Sequence, residues 1–190
     1  MSKDLSTLPL DELWQLFPII IREHDPVWEK WYQEESRLLT GLFPEDIVRL
    51  SHIGSTSVKG LSAKPTVDLL LEITPGCNLA RLRASLEKND YIYSPQRKKP
   101  APHMMFMKGY TGEGFVPPVY HLHVRYPGDW DELYFRDYLR AHGDIAAQYG
   151  VLKKQLAQKY TYNRDAYTHA KTEFIQSHTK AARREFPGRY

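Results

Sequence analysis

The sequence predicts an α/β (α+β) fold: a mixed β-sheet flanked by helices, followed by a helical C-terminal part. Three observations predict it. "DIVRLSHIG" alternates Ile47, Arg49, Ser51 and Ile53 against Val48, Leu50 and His52, as a strand does. "TVDLLLEI" is a near-continuous apolar run, which suits a strand covered on both faces. After Tyr126 the pattern turns helical and stays so. At 190 residues the chain has the length of one ordinary domain. Residues 1–190 are therefore read as a single domain, with 1–25 as an N-terminal extension and 127–190 as the helical part.

Taken in order, Pro9 to Phe17 reads as a short amphipathic helix and "IIIREHD" as an extended segment. Asp25-Pro26 supplies an N-cap and a first-turn proline. Val27, Trp31, Leu38 and Leu42 then follow at helical spacing up to Gly41 and Pro44. The strand over "DIVRLSHI" ends at the turn glycine Gly54. Beyond the apolar strand, "CNLARLRASLEKND" is helical through Leu79, Leu82 and Leu86. "YIYS", "HMMFMKGY" and "VYHLHVRY" read as strands separated by Pro- and Gly-rich turns. Three closing helices are expected, from Asp131 to about Ala141, Asp144 to about Lys159, and Asp165 to about Arg184.

The net charge of +3 is too small to argue for nucleic acid as a partner. A single cysteine, Cys77, excludes an internal disulfide and sits in an apparent turn. The N-terminal stretch lacks a signal-peptide pattern, and no apolar run approaches the roughly 18 to 20 residues that span a bilayer. A cytoplasmic protein without a membrane segment is expected. "RKK" (Arg97, Lys98, Lys99) reads as a solvated turn. The aromatic and basic tail, Tyr160 to Arg184, is explained more cheaply by helix packing than by nucleic acid.

Chemistry concentrates in "HIGSTSVKGLSAKPTVDLLLEI". Gly54 permits a sharp turn, and the N–H groups and hydroxyls of Ser55, Thr56 and Ser57 suit an anion if a helix starts there. A plain turn with a capping serine explains the same composition. The order Lys59-Gly60-Leu61 excludes a Walker A loop. Asp68 sits in an apolar strand, where a carboxylate needs a cation, a metal or donors; a salt bridge to Lys64 or an arginine is the plain alternative. Position 70 is Leu, so the second carboxylate of a shared metal site is missing. Glu72 lies about 13 Å further along the same face.

His121 and His123 are two apart on a strand, so both face one side, with Arg125 beyond them. With Asp68 they would form a two-histidine, one-carboxylate set suited to Mn, Fe or Zn; hydrogen bonding in the core or phosphate contact would use the same histidines. In "FRDYLRAH", Arg136 and Arg140 share a helix face and can hold phosphate, or simply pair with Asp137.

These residues in this order resemble the GrpB family, small bacterial proteins assigned to the nucleotidyltransferase fold. The likeness rests on "HIGSTSVKGLSAKPTVDLLLEI", "HLHV" and "FRDYLRAH", and runs from about Pro26 through the C-terminal helix, with Lys59 standing where the family favours proline. It implies that Gly54-Ser55 is the glycine-serine turn, that Asp68 is the first catalytic carboxylate, and that the metal is Mg or Mn. Active enzymes of this fold carry two carboxylates on that strand, and Leu70 departs from that pattern. One expectation is a nucleotidyltransferase-like protein that binds nucleotide phosphate through Gly54, Ser55, Thr56, Lys64, Arg136 and Arg140, with Asp68, His121 and His123 holding a divalent metal. A second is a non-catalytic nucleotide-binding or accessory module. A third is a hydrolase that activates water at Asp68, His121 and His123.

Overall fold

A computed structural model describes residues 5, 7–96 and 99–190 of the chain; Arg97 and Lys98 of the "RKK" turn lie outside the described residues. The described chain runs α1 (Leu10–Leu16), α2 (Val27–Leu42), β1 (Ile47–Ile53), β2 (Val67–Ile73), α3 (Leu79–Glu87), β3 (Ile92–Ser94), β4 (Met104–Thr111), β5 (Gly114–Arg125), α4 (Asp131–Ala141), α5 (Gly143–Lys159), α6 (Arg164–Ala170) and α7 (Thr172–Glu185). The sheet order is β1-β2-β5-β4-β3, with β2 and β5 parallel and the other pairs antiparallel. This is the expected mixed sheet flanked by helices.

Period-2 alternation divides the sheet into two unlike faces. Val67, Leu69, Leu71 and Ile73 of β2 and Tyr120, Leu122 and Val124 of β5 point to one side. They form the main core with Trp28 and Leu39 of α2 and Leu82 and Leu86 of α3. The Val27 N–H donates to Asp25 Oδ1 at 2.9 Å, so the cap expected before Pro26 forms. The other face carries Asp68, Leu70 and Glu72 on β2 and His121, His123 and Arg125 on β5. The C-terminal helices stand over this second face.

Two elements differ from expectation: the closing helix, and β5, which already begins at Gly114 and runs through the Pro- and Gly-rich stretch expected to be a turn. The closing helix is broken at Lys171 into α6 and α7. The two halves answer to different partners: Tyr167 of α6 packs with Ile19 and Ala157, and α7 packs along α4. The segment "IIIREHD" is extended but joins no sheet; Arg22 exchanges backbone hydrogen bonds with Ala63, and Ile19 N–H donates to Thr161 O. It thereby ties the loop carrying Lys64 to the C-terminal helices. Cys77 is buried, and burial followed by the Asp46 carboxylate pushes its thiol up to about 11. No helix among the described residues is long and apolar enough to cross a membrane.

Candidate functional site

A cleft of about 1220 Å³ opens between the polar face of the sheet and helices α5 to α7. Strand register builds its floor. Asp68 lies opposite His121, Leu70 opposite His123, and Glu72 opposite Arg125 on the parallel pair. Asp68 Oδ1 is 3.2 Å from His121 Nδ1 and 3.8 Å from His123 Nε2. His121 Nε2 lies 2.7 Å from Tyr110 Oη, which accepts from Arg164 Nη1 at 3.3 Å. With Asp68 ionised, the network assigns one consistent set of protons: His121 donates Nδ1–H to Asp68, and Tyr110 donates to Nε2. Burial pushes His121 down, towards the neutral ring. Burial alone would push Asp68 up, but the hydrogen bonds of His121 and then His123 outweigh it and hold the carboxyl well below its usual range.

Gly54 takes φ +70°, and a Cβ placed on it would meet Asp68 Oδ2 at 2.4 Å, so this turn admits only glycine. It is followed by a single 3₁₀ turn, Ser55–Ser57, where a helix start was envisaged. Gly54 and Ser55 line the cleft, and so does Thr56. The Thr56 hydroxyl, however, is engaged inside the protein, 3.0 Å from His52 Nε2 and donating to Thr66 O at 3.2 Å. His52 is buried, its ring stacked on Tyr32, and burial takes it down to about 4.

Arg136 and Arg140 lie outside the cleft. Arg136 donates to Asp137 Oδ1 at 2.7 Å, His52 O at 3.2 Å and Tyr190 Oη at 2.7 Å; Arg140 gives two hydrogen bonds to Ser57 O. They hold the back of the glycine turn against α4. Glu72 is fully buried and grips Arg49 through both carboxylate oxygens while accepting Gly128 N–H at 3.0 Å, so it serves the fold. Leu70 is fully buried with Ile53 and Leu133.

Facing Asp68 are cations from four places. Lys64 comes from the loop before β2, Lys153 from α5, Arg164 from the start of α6, and Lys171 from the α6–α7 break. Lys153 is 2% exposed and donates to Ser62 O, with its ammonium 4.6 Å from the Tyr149 ring centre. Lys171 and Lys64 lie 4.8 and 6.0 Å from the Tyr167 ring centre. Burial, and then mutual repulsion, lowers Lys64 to about 7 and Lys153 to about 6, and takes Lys171 down as well. Arg125 and Arg183, on the rim, instead meet Glu132 and the pair Asp129 and Asp131.

Sequence patterning named Lys64 but missed Lys153, Arg164 and Lys171. One signal was present: Ala146, Tyr149, Gly150, Lys153 and Ala157 form the buried stripe of α5, so a lysine occupies an apolar position.

As arranged, the side chains do not fit a resident metal. Both ring nitrogens of His121 already have partners, and no group of three or more His, Cys, Asp or Glu among the described residues is placed to hold an ion.

A model of the GrpB protein family matches residues 18–181. The UPF0157 protein YqkA of Bacillus subtilis is 33% identical over 165 residues, 85% of this chain and 46% of that protein. A UPF0157 protein of Pseudomonas aeruginosa is 36% identical over 158 residues, 80% of this chain and 62% of that one. This chain therefore spans less than two thirds of the length of these two relatives. The crystal structure of the conserved protein GrpB from Enterococcus faecalis superposes with a TM-score of 0.74 at 31% identity, covering 88% of this chain and 99% of that one. With a match across most of its length and relatives above 30% identity, the chain belongs to the GrpB family.

Proposed function

We propose that this protein binds a phosphate-bearing small molecule, a nucleotide foremost, in the cleft between the sheet and α5–α7. One observation carries the reading: Lys64, Lys153, Arg164 and Lys171 converge on a single carboxylate, Asp68, and none of them forms a salt bridge among the described residues. Lys153 is buried and the other three are half-buried; cations drawn even partly out of water are costly unless paired, and a phosphate group is the natural partner for lysine and arginine together. Gly54 and Ser55 frame the Asp68 side of the same cleft. Calorimetric titration of ATP, GTP, CTP and UTP tests it. Saturable binding that weakens about 10-fold, or 1.4 kcal/mol, on Lys171→Gln is expected; failure of every nucleotide to bind refutes the nucleotide as ligand, and failure of pyrophosphate as well refutes phosphate binding.

A second reading, nucleotidyl transfer, is favoured by the hydrogen-bonded chain Asp68–His121–Tyr110. Here Asp68 orients an acceptor hydroxyl by accepting its hydrogen bond, and the hydroxyl proton passes to solvent as the new O–P bond forms and the bond to the pyrophosphate leaving group breaks. Leu70, in place of a second carboxylate, weighs for the binding module. Acceptor-dependent release of pyrophosphate, lost in Asp68→Asn while nucleotide binding persists, is the result that would promote transfer over binding.

A further inference from the structure

The cleft pairs some of its cations and leaves others, Lys99, Lys180 and Arg184 included, without a salt bridge among the described residues. On the rim, Arg125 and Arg183 are neutralised by Glu132, Asp129 and Asp131. Around Asp68, four cations face one carboxylate, an excess of three positive charges when all are protonated. Aromatic rings take the place of counter-ions there, Tyr149 beside Lys153 and Tyr167 beside Lys64 and Lys171. Cation–π contact returns well short of the cost of burying an ammonium. A divalent metal would add two charges to a site that already has too many.

Resting on the phosphate-binding reading, we propose that the ligand carries at least two linked phosphates and is held without a metal ion, Lys64, Lys153, Arg164 and Lys171 supplying the neutralisation that a divalent cation supplies elsewhere. Charge matching sets the lower limit, because a single phosphate dianion leaves a cation over, whereas a diphosphate brings about three charges near neutral pH. Proton uptake follows. In the empty cleft Lys64 faces Arg164, Lys171 and Asp68, and Lys153 faces Lys64, Lys171 and Asp68. The remaining neighbours are the Tyr149 and Tyr167 phenols, the Tyr110 phenol on Arg164, and the neutral His121 ring. Repulsion and burial hold the lysines partly deprotonated, and an arriving anion draws protons back onto them.

The test is calorimetry on the full chain with inorganic phosphate, pyrophosphate, tripolyphosphate and ATP. Each is titrated in EDTA and in excess Mg, at pH 7.5, in two buffers of different ionisation enthalpy. Pyrophosphate is expected to bind about 10-fold or more tighter than phosphate, at least as tightly in EDTA as in Mg, and with net proton uptake. Lys171→Gln is expected to reduce both affinity and uptake without loss of the folded state by circular dichroism. Equal affinity for ATP and tripolyphosphate identifies the chain alone as the ligand; tighter ATP identifies a nucleotide. A requirement for Mg, equal affinity for phosphate and pyrophosphate, or binding without proton uptake overturns this inference and leaves phosphate binding standing. No binding of any of the four overturns both.

Discussion

Gly54 and Asp68 approach so closely that a methyl group on Gly54 would lie 2.4 Å from Asp68 Oδ2. The glycine of the turn and the carboxylate of the next strand therefore form one unit. Gly54→Ala is expected to cost about 1 to 3 kcal/mol for a backbone at φ +70° and ψ −174°, a conformation essentially reserved for glycine, and to push Asp68 off its hydrogen bond with His121. Urea denaturation reads the first effect. The second would appear as a changed His121 imidazole resonance by NMR; an unchanged spectrum contradicts it.

Among the described residues Asp68 is the only carboxylate amid Lys64, Lys153, Arg164 and Lys171, so its charge opposes an incoming anion while it steadies the empty site. Asp68→Asn is expected to lower the melting temperature and to tighten pyrophosphate binding severalfold. Weaker binding in the variant would show that Asp68 contacts the ligand productively.

Leu70 stands where a second strand carboxylate would complete a metal pair. It is fully buried against Ile53 and Leu133, and Leu70→Asp therefore places an unpaired charge in an apolar cluster. A loss of 3 kcal/mol or more, on the order expected for such burial, is predicted, without gain of Mn binding. A folded variant that binds Mn would refute this.

The Glu72–Arg49 pair is structural. Glu72→Ala leaves Arg49 and the Gly128 N–H without their carboxylate and is expected to cost about 3 to 5 kcal/mol, measured by chemical denaturation. Pyrophosphate affinity per folded molecule should stay unchanged.

Lys153 carries a pH signature. Its ammonium is lowered to about 6 in the folded protein and lies near 10.4 in the unfolded chain. Between these values the unfolded state binds more protons, so this residue's contribution to stability is present at high pH and is lost as pH falls towards 6. Relative to wild type, Lys153→Met should therefore gain up to about 1.4 kcal/mol per pH unit on going from pH 8.5 to 6.5. A pH-independent difference between the two proteins would show that Lys153 keeps its proton on folding.

Much of the fold was legible because its signals are local. The alternation of "DIVRLSHI" and the apolar run "TVDLLLEI" state their own periods, and His-x-His fixes a shared face whatever surrounds it. The break at Lys171 was not legible, since no proline or glycine marks it and the divergent partners of Tyr167 and α7 are set by tertiary packing. Three of the four cations around Asp68 were hidden for the same reason. Lys153, Arg164 and Lys171 sit in "LKKQLAQKYTYNRDAYTHAKTE", where each charge reads as part of a solvated face until tertiary packing turns it inward. Arg136 and Arg140 show the converse: their i, i+4 spacing is real, but it serves the carbonyls of His52 and Ser57.

The parallel register of β2 on β5 also bears on how the chain avoids misfolding. Asp68, Leu70 and Glu72 lie level with His121, His123 and Arg125, so each strand has one face fit for oil and one fit for charge. A slip of one residue would drive either an aspartate and a buried glutamate, or two histidines and an arginine, into the layer occupied by Leu69, Leu71, Leu122 and Val124. The penalty rises with every rung of the ladder. The same side chains that shape the cleft thus reject the nearest wrong alignment of the two central strands before any ligand is present.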